Sequence, residues 1–321
     1  MATAAKTSKK KAPAKRKAAK EAAPPKPSFI GIVLRKFVFR PVTLLVLAIG
    51  LVSAVLAPRV PAMLPDLSQL DEYQFPLDEM RVNAPNEWVP TTLIDDVLAQ
   101  SSLSENVSLL DSNLCREVSE ALAAHPWIRK AKLVRLTNEP AIQALIDYRE
   151  PVAFVRTPTD IFAIDVDGII LPREDFTEED YARLPWILNA VDPESAEAGD
   201  VWPGSAMVAA ATIAEILTPK HNMELYWNHF QLRGIILPQN SRELQPDEMI
   251  FELLTVGGSR VVWGKPPGYD DLEPTAEQKL GRMEQYIERF GDFDSPNGPY
   301  RIDIRLFDAI SLEPLGELRY R

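Results

Sequence analysis

Cysteine is nearly absent: the single thiol, Cys115, excludes an internal disulfide, so any folded part of this 321-residue chain must hold together by packing. Histidine is almost as scarce. Of the three, His221 and His229 stand eight apart in HNMELYWNH with no cysteine or second carboxylate at ligand spacing, a poor match to a zinc site. DVDG at 165–168 opens like a calcium loop but lacks the third ligand, the central glycine and the closing glutamate, and reads as a hairpin turn. VGGSRVVWG at 256–264 has neither the Gly-Lys-Ser/Thr of a phosphate loop nor the Gly-x-Ser-x-Gly of a nucleophile elbow. Carboxylates are plentiful, and none stands out from a solvated face. No metal, cofactor or small-molecule substrate is expected, and a binding or scaffolding role is favoured over an enzyme.

Charge is unevenly spread. Residues 1–40 hold twelve Lys or Arg and one acid, Glu21, for +11, while the rest hold 23 basic and 45 acidic side chains, for −22; the sum is −11. A duplex-binding domain would line a folded face with its basic residues, so no nucleic-acid partner is expected. The arm KTSKKKAPAKRKAAK is too poor in apolar residues to build a core and reads as disordered. An apolar run follows, uncharged from Val42 to Ala57 and extended by Phe37 to Phe39 if Arg40 snorkels. About 21 residues at about 1.5 Å each reach roughly 31 Å, which predicts a transmembrane helix. A signal peptide would need a 40-residue n-region and cleavage before Pro58, so an uncleaved anchor is expected. The Lys/Arg excess then keeps the N-terminus cytoplasmic and exports the remainder, as a single-pass protein of the inner or plasma membrane.

Beyond a Pro/Leu-rich linker, MRVN from Met80 suggests a strand. VPTTLIDDVLAQ reads as a helix capped at Thr91 or Thr92, with Leu93, Val97 and Leu98 on one face. A second helix starting at Ser112 carries Leu114, Val118, Ala121 and Leu122, and it stops at His125-Pro126 because proline has no amide and restricts the residue before it. Two strands follow, joined by TNEP; in the second, Ile142, Ala144, Ile146 and Tyr148 share a face. Further on, FAIDVDGIIL reads as a hairpin, TEEDYARL and SAMVAAATIAEIL as helices, the latter capped by Ser205, and EMIFELLTVGGSRVVWG as two strands about Gly257-Gly258. TAEQKLGRMEQYIERFG carries a capping box at Thr275 and Gln278, an apolar stripe at Leu280, Met283, Ile287 and Phe290, and a stop at Gly291. YRIDIRLF alternates as a strand. The fold class expected is α+β: two helices on one small sheet, then a mainly antiparallel β-domain with flanking helices.

The order and spacing of HPWIRKAKLVR, YREPVAF, AIDVDGIILP, LPWI, GDVWPGSAMVAAATIAEIL, SRVVWG, EQKL and YRIDIRL resemble the FtsQ/DivIB cell-division family over about residues 80–307. The resemblance implies a disordered cytoplasmic arm (1–36), a transmembrane helix (37–57), a linker (58–78), a POTRA-type domain (79–150) and an FtsQ-type β-domain (151–321). It also implies a scaffold in septal peptidoglycan synthesis at the division site, without catalysis, that binds other division proteins, especially the FtsB/DivIC and FtsL coiled-coil pair. Binding would be β-augmentation at a C-terminal edge strand near FDAISLEPL, through Leu306, Asp308, Ile310 and Leu312. Leu306 stands where the family often has an aromatic, and Tyr148 where it favours Glu. His125, Pro126 and Trp127 are expected as a structural corner, with Trp127 packed. Arg129, Lys130, Lys132 and Arg135 are expected as a solvated strand face, or alternatively a site for protein or anionic headgroups. Two other readings stand beside the division scaffold: an exported POTRA-bearing assembly factor or chaperone for the envelope, and a membrane-tethered enzyme.

Overall fold

A computed structural model describes residues 41–57, 67–137 and 141–315. The basic arm, Phe37 to Phe39 and residues 138–140 of the TNEP turn lie outside them. Two units are distinguished, Met1–Asp66 and Leu67–Arg321.

In the first unit, α1 (Pro41–Leu56) is a sixteen-residue apolar helix with no buried side chain. The expectation of a transmembrane helix is corrected here. At about 1.5 Å per residue α1 reaches roughly 24 Å, short of a hydrocarbon core of about 30 Å. No helix among the described residues is long and apolar enough to cross a membrane. The longer estimate counted Phe37 to Phe39, which the described helix does not include.

The second unit begins with β1 (Gln74–Pro76), β2 (Arg81–Val82), α2 (Leu93–Gln100), β3 (Asn106–Ser108), α3 (Leu114–Ala123), β4 (Ile128–Leu136) and β5 (Ile142–Tyr148). β1 and β3 form an antiparallel ribbon, and β2, β5 and β4 form a three-stranded sheet in that order. Phe75 and Leu77, expected within a linker, are buried in this layer's core. The helices follow apolar spacings of four, burying Leu93 and Val97 on α2 and Leu114, Val118 and Leu122 on α3. Asn113, not Ser112, holds the N-cap position of α3. After α3 the chain turns at His125-Pro126, with the His125 amide donating to Leu122 O at 3.1 Å.

Next come β6 (Pro151–Arg156), β7 (Ile161–Asp165), β8 (Ile170–Leu171), β9 (Trp186–Leu188), α4 (Ser205–Leu217), β10 (Leu232–Ile236), β11 (Phe251–Thr255), β12 (Arg260–Gly264), α5 (Ala276–Phe290), β13 (Tyr300–Asp303) and β14 (Ser311–Pro314). They build one nine-stranded sheet ordered β14-β13-β12-β11-β10-β9-β6-β7-β8. The expected α+β class is corrected to a mixed α/β one, although five of the eight pairings in this sheet are antiparallel. β6 with β9, β9 with β10 and β12 with β13 pair in parallel. Parallel neighbours need a crossover connection, and α4 and α5 supply it between β9 and β10 and between β12 and β13.

Both helices pack on one face of this sheet. Ala206, Ala210, Ala211 and Ala214 bring α4 close, while Leu280, Met283 and Tyr286 seat α5. On the other face, only the β6–β8 half is covered by the preceding layer. Phe154, Ala163 and Leu171 join the core around Trp127, and their neighbours Val155, Phe162 and Ile170 point into the helix-side core. This is why PVAFV reads as an unbroken apolar run.

TEEDYARL is not a helix. Only a single 3₁₀ turn, Asp180–Ala182, forms there. Asp180 accepts from the Thr177 amide and hydroxyl at 2.9 and 2.8 Å, and Pro185 follows too closely for more turns. The N-cap position of α4 is Gly204 rather than Ser205. The capping box of α5 is present, with Thr275 and Gln278 bonding each other's amides. DVDG is a hairpin between β7 and β8. Fully buried Asp165 accepts the amides of Asp167 and Ile169 at 2.9 Å and the Arg149 guanidinium at 2.6 Å, so its oxygens are engaged by the protein itself.

Candidate functional site at the C-terminal sheet edge

β14 ends the sheet order and, among the described residues, pairs on one side only, with Arg301 opposite Glu313 and Ile302 opposite Leu312. All four of its residues are exposed. Main-chain groups alternate sides along a strand. The Leu315 amide donates inward to Pro299 O at 2.9 Å, so Glu313 also faces β13 while Leu312 and Pro314 turn outward. Proline has no amide. The free edge therefore presents one N–H, from Leu312, and two carbonyls, from Leu312 and Pro314.

Of the four residues expected at this edge, Leu312 alone lies in the strand. Leu306, Asp308 and Ile310 occupy the loop before it, and Ile310 is half-buried against the core. The loop starts early because Arg305 folds back on Asp303, donating from Nε and Nη2 at 2.9 and 2.6 Å. Burial raises the Asp303 pKa, but the hydrogen bonds from the Arg305 side chain and amide outweigh it and leave the carboxyl below its ordinary value. The same contact raises Arg305 above the usual guanidinium value. The pair ends β13 as a strand.

α5 then pins the loop. Arg282 donates to Phe307 O at 2.8 Å and to Ala309 O at 2.6 Å. Between helix and edge lies a groove of about 480 Å³ lined by Arg282, Tyr286, Phe290, Phe307, Ile310 and Leu312. Phe307, Leu312 and Phe290 expose 58, 47 and 46% of their surface, an apolar patch beside the free edge. Burial raises the Tyr286 phenol above its ordinary value, with Tyr300, Asp292 and Asp294 adding to it. Such a site can take a strand along β14 and apolar side chains in the groove. Phe307 escaped the sequence reading because strict alternation through YRIDIRLF assigns it to the face opposite Leu306. The Asp-x-Arg spacing that folds Arg305 back was the available signal.

The corner at His125, Pro126 and Trp127 lies elsewhere, between the two sheets. Trp127 is fully buried, and its indole N–H donates to Asp175 Oδ2 at 2.7 Å. His125 Nδ1 accepts the Trp127 amide at 3.3 Å. Burial lowers the His125 pKa, against the upward pull of Asp96 and Asp175. Burial also raises Asp175, with the Trp127 hydrogen bond opposing it. Phe176 bridges the rings of Trp127 and Phe154 at centroid distances of 5.8 and 5.5 Å. Of the β4 cations, Arg129 pairs with Asp167 at 3.1 Å and Lys132 with Asp147 at 3.1 Å.

Comparison with known proteins finds no protein-family model that matches the chain and no curated protein that matches it.

Proposed function

We propose that the chain is a non-catalytic scaffold of the FtsQ/DivIB type that links division proteins during septal peptidoglycan synthesis. Crossing a membrane is no part of the proposal. The observation that carries it is the free β14 edge beside the α5 groove. A strand from the FtsB/DivIC- and FtsL-like coiled-coil pair lies along β14, giving amides to Leu312 O and Pro314 O and accepting the Leu312 amide. Its side chains cover the exposed halves of Phe307 and Leu312, each contributing roughly half of the about 1.5–3 kcal/mol of full burial. With a single outward amide in β14, the groove supplies more of the affinity than the ladder does.

The test is an N-terminal fluorescent fusion in dividing cells, with purification of the coiled-coil pair on the same chain. A band at the division site with the pair bound, and binding weakened about tenfold or more by Phe307→Ala, supports the reading. Uniform signal through the cycle refutes it and puts the envelope assembly factor in front.

A further inference from the structure

Across β9 to β13, on the face away from α4 and α5, the cross-strand register sets Leu188, Ile236, Glu252, Val262 and Asp303 in one row. Gly234, Leu254, Arg260 and Arg301 form the row beside it. Here the sheet is open in a groove of about 600 Å³. Its two ends differ in chemistry. At β9 and β10 its exposed lining is Leu188, Ile236 and Pro238, with Asn189 and Gln239 at the margin. A Cβ on Gly234 would meet Leu188 Cδ1 at 2.4 Å, so Leu188 lies across bare backbone and forms part of the floor.

At β12 and β13 the groove is cationic. Arg260 and Arg301 are cross-strand neighbours, an unfavourable pairing of like charges. A single carboxylate serves both: Glu252 receives Arg301 Nε at 3.1 Å and Arg260 Nη1 at 3.4 Å. Neither contact is bidentate. Both terminal nitrogens of Arg301, with Nε and Nη2 of Arg260, make no hydrogen bond among the described residues. Arg305 lines the same end and is held by Asp303. Glu313, the β14 neighbour of Arg301, is exposed and forms no ion pair among the described residues.

We propose that this groove binds an extended segment of a partner protein that presents two apolar side chains and then two carboxylates on one face. Four inter-strand steps of about 4.8 Å make roughly 19 Å, which an extended chain covers in about six residues. Alternation puts every second side chain into the groove, so the pattern is apolar-x-apolar-x-acid-x-acid. The carboxylates complete the open forks of Arg260 and Arg301 as bidentate pairs. This site is separate from the β14 edge, since Leu312 stands opposite Ile302 on the helix-side face.

The test uses the full chain and a fluorescein-labelled peptide, Leu-Ser-Leu-Ser-Glu-Ser-Glu, followed by anisotropy at low salt. Saturable binding is expected, weakened about tenfold or more by the double variant Arg260→Glu with Arg301→Glu, and by Arg301→Gln alone to a smaller extent. The charge-swapped peptide Leu-Ser-Leu-Ser-Lys-Ser-Lys should regain binding on the double variant, which also shows that the variant is folded. Leu312→Asp should leave binding unchanged while weakening the coiled-coil pair, so the two sites can fail independently. No saturable binding below about 1 mM, or equal binding by wild type and Arg301→Gln, overturns the proposal.

Discussion

Replacing Lys279 by methionine removes one ammonium from the root of the helix that holds the edge groove. Lys279 is fully buried, and its Nζ lies 2.8 Å from Glu273 Oε2, whose side chain is itself only 9% exposed. The same oxygen accepts the Lys265 amide at 3.0 Å, and the ammonium sits 5.4 Å from the centroid of the Trp263 ring. Methionine keeps most of the stem and its packing but strands the Glu273 carboxylate. Breaking a buried pair from one side costs about 3–5 kcal/mol. Arg305 also attracts Glu273, which favours the lower end of that range. Adding Glu273→Gln removes the second charge and keeps an acceptor for Lys265, so the double variant should return to within about 1 kcal/mol of wild type. Urea unfolding of the four proteins at one pH closes the cycle, with an expected coupling of about 2 kcal/mol or more. A cost below about 1 kcal/mol for Lys279→Met, or a double variant as unstable as the sum of the singles, would refute the reasoning.

Three further outcomes are expected. Gly257→Ala should destabilise by about 1–3 kcal/mol in urea, because its Cβ would meet the Asp294 carboxylate at 2.3 Å, and Asp294 cannot yield without losing its bonds from Thr255 and Ser259 at 2.9 and 3.0 Å. His125, lowered by burial, stays neutral in the folded chain where the unfolded chain gains a proton, so its contribution is lost as pH falls through the ordinary imidazole value of about 6.5. His125→Gln should flatten that part of the stability–pH curve, and an unchanged slope would contradict the assignment. Trp127→Phe should cost about 1–3 kcal/mol by leaving Asp175 without its indole donor, read as a lower urea midpoint.

Local chemistry explains what was legible in the sequence. The capping box at Thr275 and Gln278 and the stripe through Leu280 and Met283 specify α5 within about one turn of chain, and the hairpin turn at DVDG needs only Asp165 and its own amides. The stop at His125-Pro126 is equally local. Elsewhere reading along the chain failed or fell short, in some places for local reasons and in others for non-local ones. TEEDYARL has helical composition, yet Thr177, Asp180 and Pro185 hold it to one turn. The apolar run near the N-terminus was long enough to span a bilayer as counted, and the described helix is not. The nine-strand order, the three parallel pairings and the neighbouring placement of Arg260 and Arg301 arise from crossovers between residues far apart in sequence. Phe307 enters the edge groove because Arg305 folds onto Asp303 and Arg282 reaches across from α5. The sequence by itself determined most of the elements whose hydrogen bonds close within a few residues, TEEDYARL excepted. Only the tertiary structure decided which strand was left without a neighbour and which charges stand together, because those depend on strand order and cross-strand register.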